Sequence, residues 1–287
     1  MTDPIPADLL EIADALLPGA PLDTAHLAQG SFHHVVALPG VAAVRIAKGP
    51  AASQALDHRT ERLRLIAASN LPFLVPEPLT PVTMFGDRAA VAVSWISGRE
   101  LPEGEGDPAA IGALLKALRE VPLTPELRAV LTPPHELSGG ARWVELMTEA
   151  VIPRLPEKWR DDARRRIDDV LALDPVPDAL VHGDLCGSNV HWGADGTIIG
   201  VLDWDTAHAF DPAIDAMWMG WHGWENVREA VDSDTYRRAG VWYRAFSVEP
   251  LAAAFLDRRS PEHAMYLDRY VRHLIDWLEE WGDWQLP

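Results

Sequence analysis

Residues 181–203, VHGDLCGSNVHWGADGTIIGVLD, restrict what this chain can fold into more than any other stretch. Asn189 to Trp192 and Thr197 to Trp204 read as two short β-strands, and the Gly-Ala-Asp-Gly between them is a hairpin turn signal. Asp184 and Asn189 therefore share one loop, and the hairpin returns Asp203 toward them. That gathers one proton acceptor and two oxygen ligands for a hard cation. Mg²⁺ takes carboxylate, amide and phosphate oxygens and keeps several waters. Phosphoryl transfer needs such a set, because its catalysis is mostly positioning and charge neutralisation.

The rest of the composition narrows the class. At 287 residues the chain can build one large domain or two lobes. Its single cysteine, Cys186, excludes an internal disulfide framework and a cysteine zinc site. The net charge of −18 argues against a nucleic-acid partner. No apolar run approaches the ~20 residues of a membrane span, and the N-terminus has no basic leader. These features predict a soluble, cytoplasmic protein. The acidity is uneven: residues 1–101 hold 10 acids and 7 bases, residues 102–287 hold 33 and 18. A nucleotide is anionic and suits the first part, whereas the second could attract a cation by its field.

Along the chain, Asp8 to Leu17 predicts a helix closed by Pro18-Gly19. Gln29-Gly30-Ser31 reads as a turn between two strand-like runs, and its backbone N–H groups are candidate phosphate contacts. Val41 to Ala47 reads as the next strand, with Arg45 inside it. A helix over 51–69 places Leu56, Leu63 and Ile66 on one face. Leu79 to Met84 and Ala89 to Trp95 form a further strand pair. Asp107-Pro108 is a helix start. Leu123 to Gly140, rich in proline, reads as an irregular insertion. Helices follow over 142–155 and 159–171, and the run Arg160 to Arg166 reads as a solvated helix face. Asp203 to Asp234 holds eight acids and one base, with four tryptophans. Carboxylates with indoles suit a polycationic, partly flat acceptor, which makes Asp205, Glu225, Asp232 and Asp234 candidate substrate contacts. Asp211 and Asp215 read as structural: an N-cap and a support for the loop above. A last helix is expected from Ser260-Pro261, with Leu267, Val271, Leu274, Leu278 and Trp281 along one stripe.

His182-Gly183-Asp184 to Asn189, then Leu202-Asp203-Trp204, then Asp211-Pro212-Ala213-Ile214-Asp215 resemble the catalytic segments of the aminoglycoside phosphotransferase family, which is similar to the protein kinases in fold. The resemblance implies an α+β, bilobal kinase-like architecture. Residues 1–96 would be a nucleotide-binding lobe with a small antiparallel sheet and one main helix. Residues 97–287 would be a mostly helical lobe with the catalytic loop and the acceptor site. It implies that Asp184 orients or deprotonates the acceptor hydroxyl and that Asn189 and Asp203 ligate Mg²⁺. It places the Gly30-Ser31 turn over the nucleotide phosphates and Arg45 where the family carries a lysine that grips them. Arginine offers phosphate a bidentate fork, though it is not interchangeable with lysine. Glu61 is where the family carries the glutamate that pairs with that cation, with Asp57 as competitor. Backbone groups of Ser94 and Ile96 would meet the base of ATP or GTP.

The function implied is nucleotide-dependent O-phosphorylation of a small, cationic antibiotic, and thereby resistance. Gly30 to Val36, GSFHHVV, looks most similar to the phosphotransferases for basic peptide antibiotics of the viomycin and capreomycin type. Aminoglycosides come next, then macrolides, which Arg45 favours. The alternatives are a metabolite kinase of choline, sugar or homoserine type and a catalytically silent nucleotide-binding protein.

Overall fold

The computed structural model describes residues 4–30, 32–136, 140–246, 272 and 274–287. Its contacts divide into two compact units, neither continuous in sequence. One comprises Met1–Pro102, Glu120–Leu131 and Leu185–Thr206, the other Glu103–Arg119, Thr132–Asp184 and Ala207–Pro287. Among the described residues no helix is long and apolar enough to cross a membrane.

The first unit is built on an antiparallel sheet of order β1-β2-β3-β5-β4: His26–Gln29, His33–Leu38, Ala42–Ala47, Arg88–Ser94 and Thr83–Phe85. Alternation along β3 decides its two faces. Val44 and Ile46 are fully buried in a cluster with Leu9, Ile12 and Ala13 of α1 (Ala7–Leu16). Arg45, between them and opposite Val35 and Val91, takes the other face. Helix α2 (Pro50–Ala67) buries Leu56, Leu63 and Ile66 as the periodicity predicts. The hairpin of β7 (Val190–Trp192) and β8 (Ile198–Val201) belongs to this unit because segments on either side clamp it. Leu74 N–H donates to Ile199 and Val201 N–H to Leu74, both at 2.9 Å, while Arg99 and Trp192 exchange backbone bonds of 3.0 and 2.8 Å. Gly200 permits this approach: a Cβ there would sit 2.7 Å from the Leu74 carbonyl oxygen.

The insertion expected over 123–140 contains a helix instead, α4 (Pro125–Val130). Thr124 caps it by accepting from the Leu127 N–H, and Pro125 opens it. This is the cap-then-proline pattern that marks α3 (Pro108–Glu120), where Asp107 accepts from Ala110 N–H at 2.8 Å.

In the second unit, α5 (Glu157–Leu171), α6 (Ala213–Trp218) and α7 (Ser233–Phe246) pack together beside a two-stranded ladder of β6 (Ala179–Val181) and β9 (His208–Phe210). The expected 142–155 helix is a short α turn, Trp143–Glu145, followed by a π turn over Leu146–Val151 and a 3₁₀ turn at Ile152–Arg154. Pro153 cannot donate to an α ladder. Arg160 to Arg166 is not a wholly solvated face. Arg166 is buried, its guanidinium held by Asp162 at 2.6 Å and by the carbonyls of Gly282 and Arg244 at 2.7 and 3.2 Å. Of the last helix, Ser260, Pro261, Leu267 and Val271 lie outside the described residues. Leu274 and Leu278 are buried, and Trp281 is exposed.

Candidate active site

The hairpin juxtaposes the two expected metal ligands. Val190 pairs with Val201, and Leu202 N–H donates to the Asn189 carbonyl at 2.8 Å. Asn189 and Asp203 therefore sit at the same open end of the hairpin. Asp203 adopts a left-handed backbone, φ 54°, a conformation that costs a non-glycine residue energy and is concentrated at functional sites. Its side chain is 49% exposed. A carboxylate and an amide carried at the same end of one hairpin, the carboxylate accessible, suit a cation that prefers oxygen and retains water.

Arg45 lies at the centre of a dense ion cluster in the same unit. Its Nη2 donates to Asp205 Oδ2 at 2.6 Å and lies 3.9 Å from Asp203 Oδ1. Arg59 Nη1 donates to the same Asp205 oxygen at 2.9 Å, and its guanidinium stacks 4.2 Å over the Phe32 ring. Arg62 donates to the Asp205 backbone carbonyl and, through Nε, to the Val130 carbonyl at 2.7 Å. The Asp205 side chain is only 7% exposed. Burial alone would raise its pKa, but Arg45 and then Arg59 outweigh that and hold it at about 2. His33, buried beside Arg45, is driven down to about 3 by burial and then by the Arg45 charge, so it is neutral. Removing one partner of such a buried pair leaves an uncompensated charge and costs about 3–5 kcal/mol.

Two sequence expectations are corrected here. Glu61 does not pair with Arg45; it binds Arg64 on the surface of α2. At ~100° per residue, position 61 lies on the far side of the helix from Leu56, Leu63 and Ile66, whereas position 59 lies within that stripe. Arg59 and Arg62 were legible from this periodicity and were missed. Asp205 is not open to an acceptor, because Arg45 and Arg59 occupy its carboxylate.

The nucleotide-side positions are partly committed. Gly30 N–H closes the β1–β2 turn on the His33 carbonyl at 3.0 Å, so it is not a phosphate donor, and Lys48 Nζ binds the Gly30 carbonyl at 2.7 Å. Ser31 lies outside the described residues. Ser94 N–H donates to the Glu77 carbonyl at 2.8 Å, so only its carbonyl could face a base. The Ile96 carbonyl has His191 Nδ1 at 3.3 Å.

In the second unit, Asp184 follows the buried His182, whose Nδ1 accepts from Asp184 N–H at 3.1 Å. Asp215 supports this turn: Oδ2 accepts from His182 N–H at 2.8 Å and Oδ1 from Gly183 N–H at 2.9 Å. Burial pushes the Asp215 carboxyl up to about 7; the N–H bonds of Gly183 and His182 oppose this, and the Asp184 charge adds to it. Asp211 accepts from Ala213 N–H, Arg238 and Trp242. Both aspartates have the structural roles expected of them. Asp232 caps α7 by accepting from Thr235 N–H and Oγ1 at 2.9 and 2.8 Å. Asp234 pairs with Arg237 at 2.7 Å. Glu225, 75% exposed, has Arg228 at 3.7 Å.

The model of the phosphotransferase enzyme family matches residues 32–255. Viomycin phosphotransferase of Streptomyces vinaceus is 32% identical over 225 residues, covering 73% of this chain and 77% of its own. The fold is that of APH(2″)-IIIa solved with GDP and kanamycin, with a TM-score of 0.77 at 18% identity over 96% of this chain and 98% of that one. The macrolide 2′-phosphotransferase MphH of Brachybacterium faecium gives a TM-score of 0.66 at 19% identity over 92% and 97%. The α+β, kinase-like fold agrees with these neighbours, and the chain belongs to the phosphotransferase enzyme family.

Proposed function

We propose that the chain transfers the γ-phosphoryl group of ATP or GTP to a hydroxyl of a small cationic antibiotic, a tuberactinomycin-type peptide or an aminoglycoside, and so confers resistance in the cytoplasm. The observation that carries the reading is the placement of Asn189 and Asp203 together at the open end of one hairpin. The acceptor class rests on the relative that acts on viomycin. In this reading residues 1–96 receive the nucleotide, and residues 97–287 supply the catalytic loop and the acceptor contacts.

Asn189 and Asp203 would hold Mg²⁺, which when bound neutralises phosphate charge. Arg45 binds the donor phosphates by its fork. Asp184 accepts a hydrogen bond from the acceptor hydroxyl, aims its oxygen at phosphorus and takes the proton as the new P–O bond forms. Asp215 holds the turn from which Asp184 projects. Glu225 and Asp234 remain the carboxylates best placed to attract amines, because both are exposed. Arg45 in the lysine position makes a macrolide the second reading.

The test is Asp184→Ala against a panel of tuberactinomycins, aminoglycosides and macrolides, scored by phosphate added per molecule. Wild type should phosphorylate a cationic member. The variant should lose at least ~10³-fold in turnover while its melting temperature still rises with Mg-nucleotide. Near wild-type turnover in the variant would remove Asp184 from the mechanism.

A further inference from the structure

Helix α2 presents cations, not an anion, to the centre of its unit. Arg59 and Arg62 both reach residue 205, one through the side chain and one through the backbone. The carboxylate that meets Arg45 comes instead from the segment just after Asp203. One oxygen, Asp205 Oδ2, holds guanidinium groups of β3 and α2 together, at 2.6 and 2.9 Å. His33 Nδ1 lies 3.2 Å from Arg45 Nη2 and completes the enclosure. An arginine on a long flexible stem must be fixed before its fork can meet a phosphate without further ordering cost.

We propose that Asp205 is the positioning residue for the donor phosphates: it takes the place expected of Glu61, fixing Arg45 by an ion pair that Arg59 shares. This rests on the reading of Arg45 as a phosphate contact. Two guanidinium groups on one carboxylate leave an excess of positive charge beside the metal-side aspartate, which suits an anionic donor. The arrangement also links the place where Arg45 sits to the backbone that carries Asp203, two residues away.

The experiment is calorimetric titration of the full chain with Mg-ADP and Mg-GDP, and with adenosine and guanosine as phosphate-free probes. Asp205→Asn should raise the Kd of whichever nucleotide binds by about tenfold or more and leave the Kd of its nucleoside within about twofold. A merely structural role would weaken both. Arg45→Met should raise the nucleotide Kd similarly, and Asp205→Asn should add nothing in that background, because the second residue acts through the first. Should Asp205→Asn alone fail to fold, the Asp205→Asn, Arg59→Met double variant removes the surplus cation and should show the same nucleotide-selective loss. Additive effects of Asp205→Asn and Arg45→Met, equal losses for nucleotide and nucleoside, or loss on Glu61→Gln with none on Asp205→Asn would each overturn the proposal. If wild type binds neither nucleotide, the phosphotransferase reading itself falls; if wild type binds and Asp205→Asn matches it, only the role of Asp205 falls.

Discussion

Asp215→Asn tests how the proposed catalytic loop is held, with a sign that is not obvious. Both Asp215 oxygens accept backbone N–H groups, at 2.8 and 2.9 Å, in a fully buried setting. Asparagine retains one oxygen and turns its NH₂ toward the other donor. An unsatisfied buried donor costs about 1–3 kcal/mol. A second effect depends on pH. The Asp215 carboxyl is raised from 3.8 to about 7, first by burial. Its stability contribution is therefore complete below the unfolded value and is lost as pH rises through about 7. Between those values folding holds a proton that the unfolded chain has released, so stability falls by about 1.4 kcal/mol per pH unit, on the order of 4 kcal/mol in all. Asparagine has no such slope. Urea denaturation of both chains at intervals from about pH 4 to about pH 8 isolates the group, since other titrations cancel in the difference. The wild-type advantage should shrink up to about pH 7 and then level off. A difference that stays constant, or grows with pH, would refute the burial argument. Turnover of the variant should also drop, because Asp184 projects from the turn that Asp215 supports.

Asp203→Asn removes the accessible charge of the proposed metal pair, so the Mg²⁺ concentration for half-maximal turnover should rise at least ~10-fold; an unchanged requirement would place the cation elsewhere. Thr124→Ala deletes the α4 cap and should cost ~1 kcal/mol by denaturant midpoint, whereas an unaltered midpoint would mean the cap is replaced locally. If the acceptor is cationic and meets exposed Glu225 and Asp234, its KM should climb with salt more than that of a neutral analogue. Parallel salt responses would remove these acids from recognition.

The sequence alone determined the features that depend on neighbours in the chain. The hairpin turn after Trp192 and the strand pairing that brings Asn189 level with Leu202 follow from alternation and turn chemistry. The helix starts at Asp107 and Thr124 follow the same cap-and-proline rule, although the second was overlooked. Asp215 was legible as a support for the loop only through the resemblance of the Asp211-Pro212-Ala213-Ile214-Asp215 segment to the family, since the N–H groups it accepts lie 33 and 32 residues away. Charge partners across long separations were not legible. Asp205 lies 160 residues from Arg45 and 146 from Arg59, and a carboxylate in an acidic, tryptophan-rich stretch looks no different whether it faces solvent or an arginine. Only the tertiary structure decided that Asp205 is enclosed and Glu61 exposed, because a buried charge is tolerated only where opposite charges are brought to it, and packing of α2 on the sheet does the bringing.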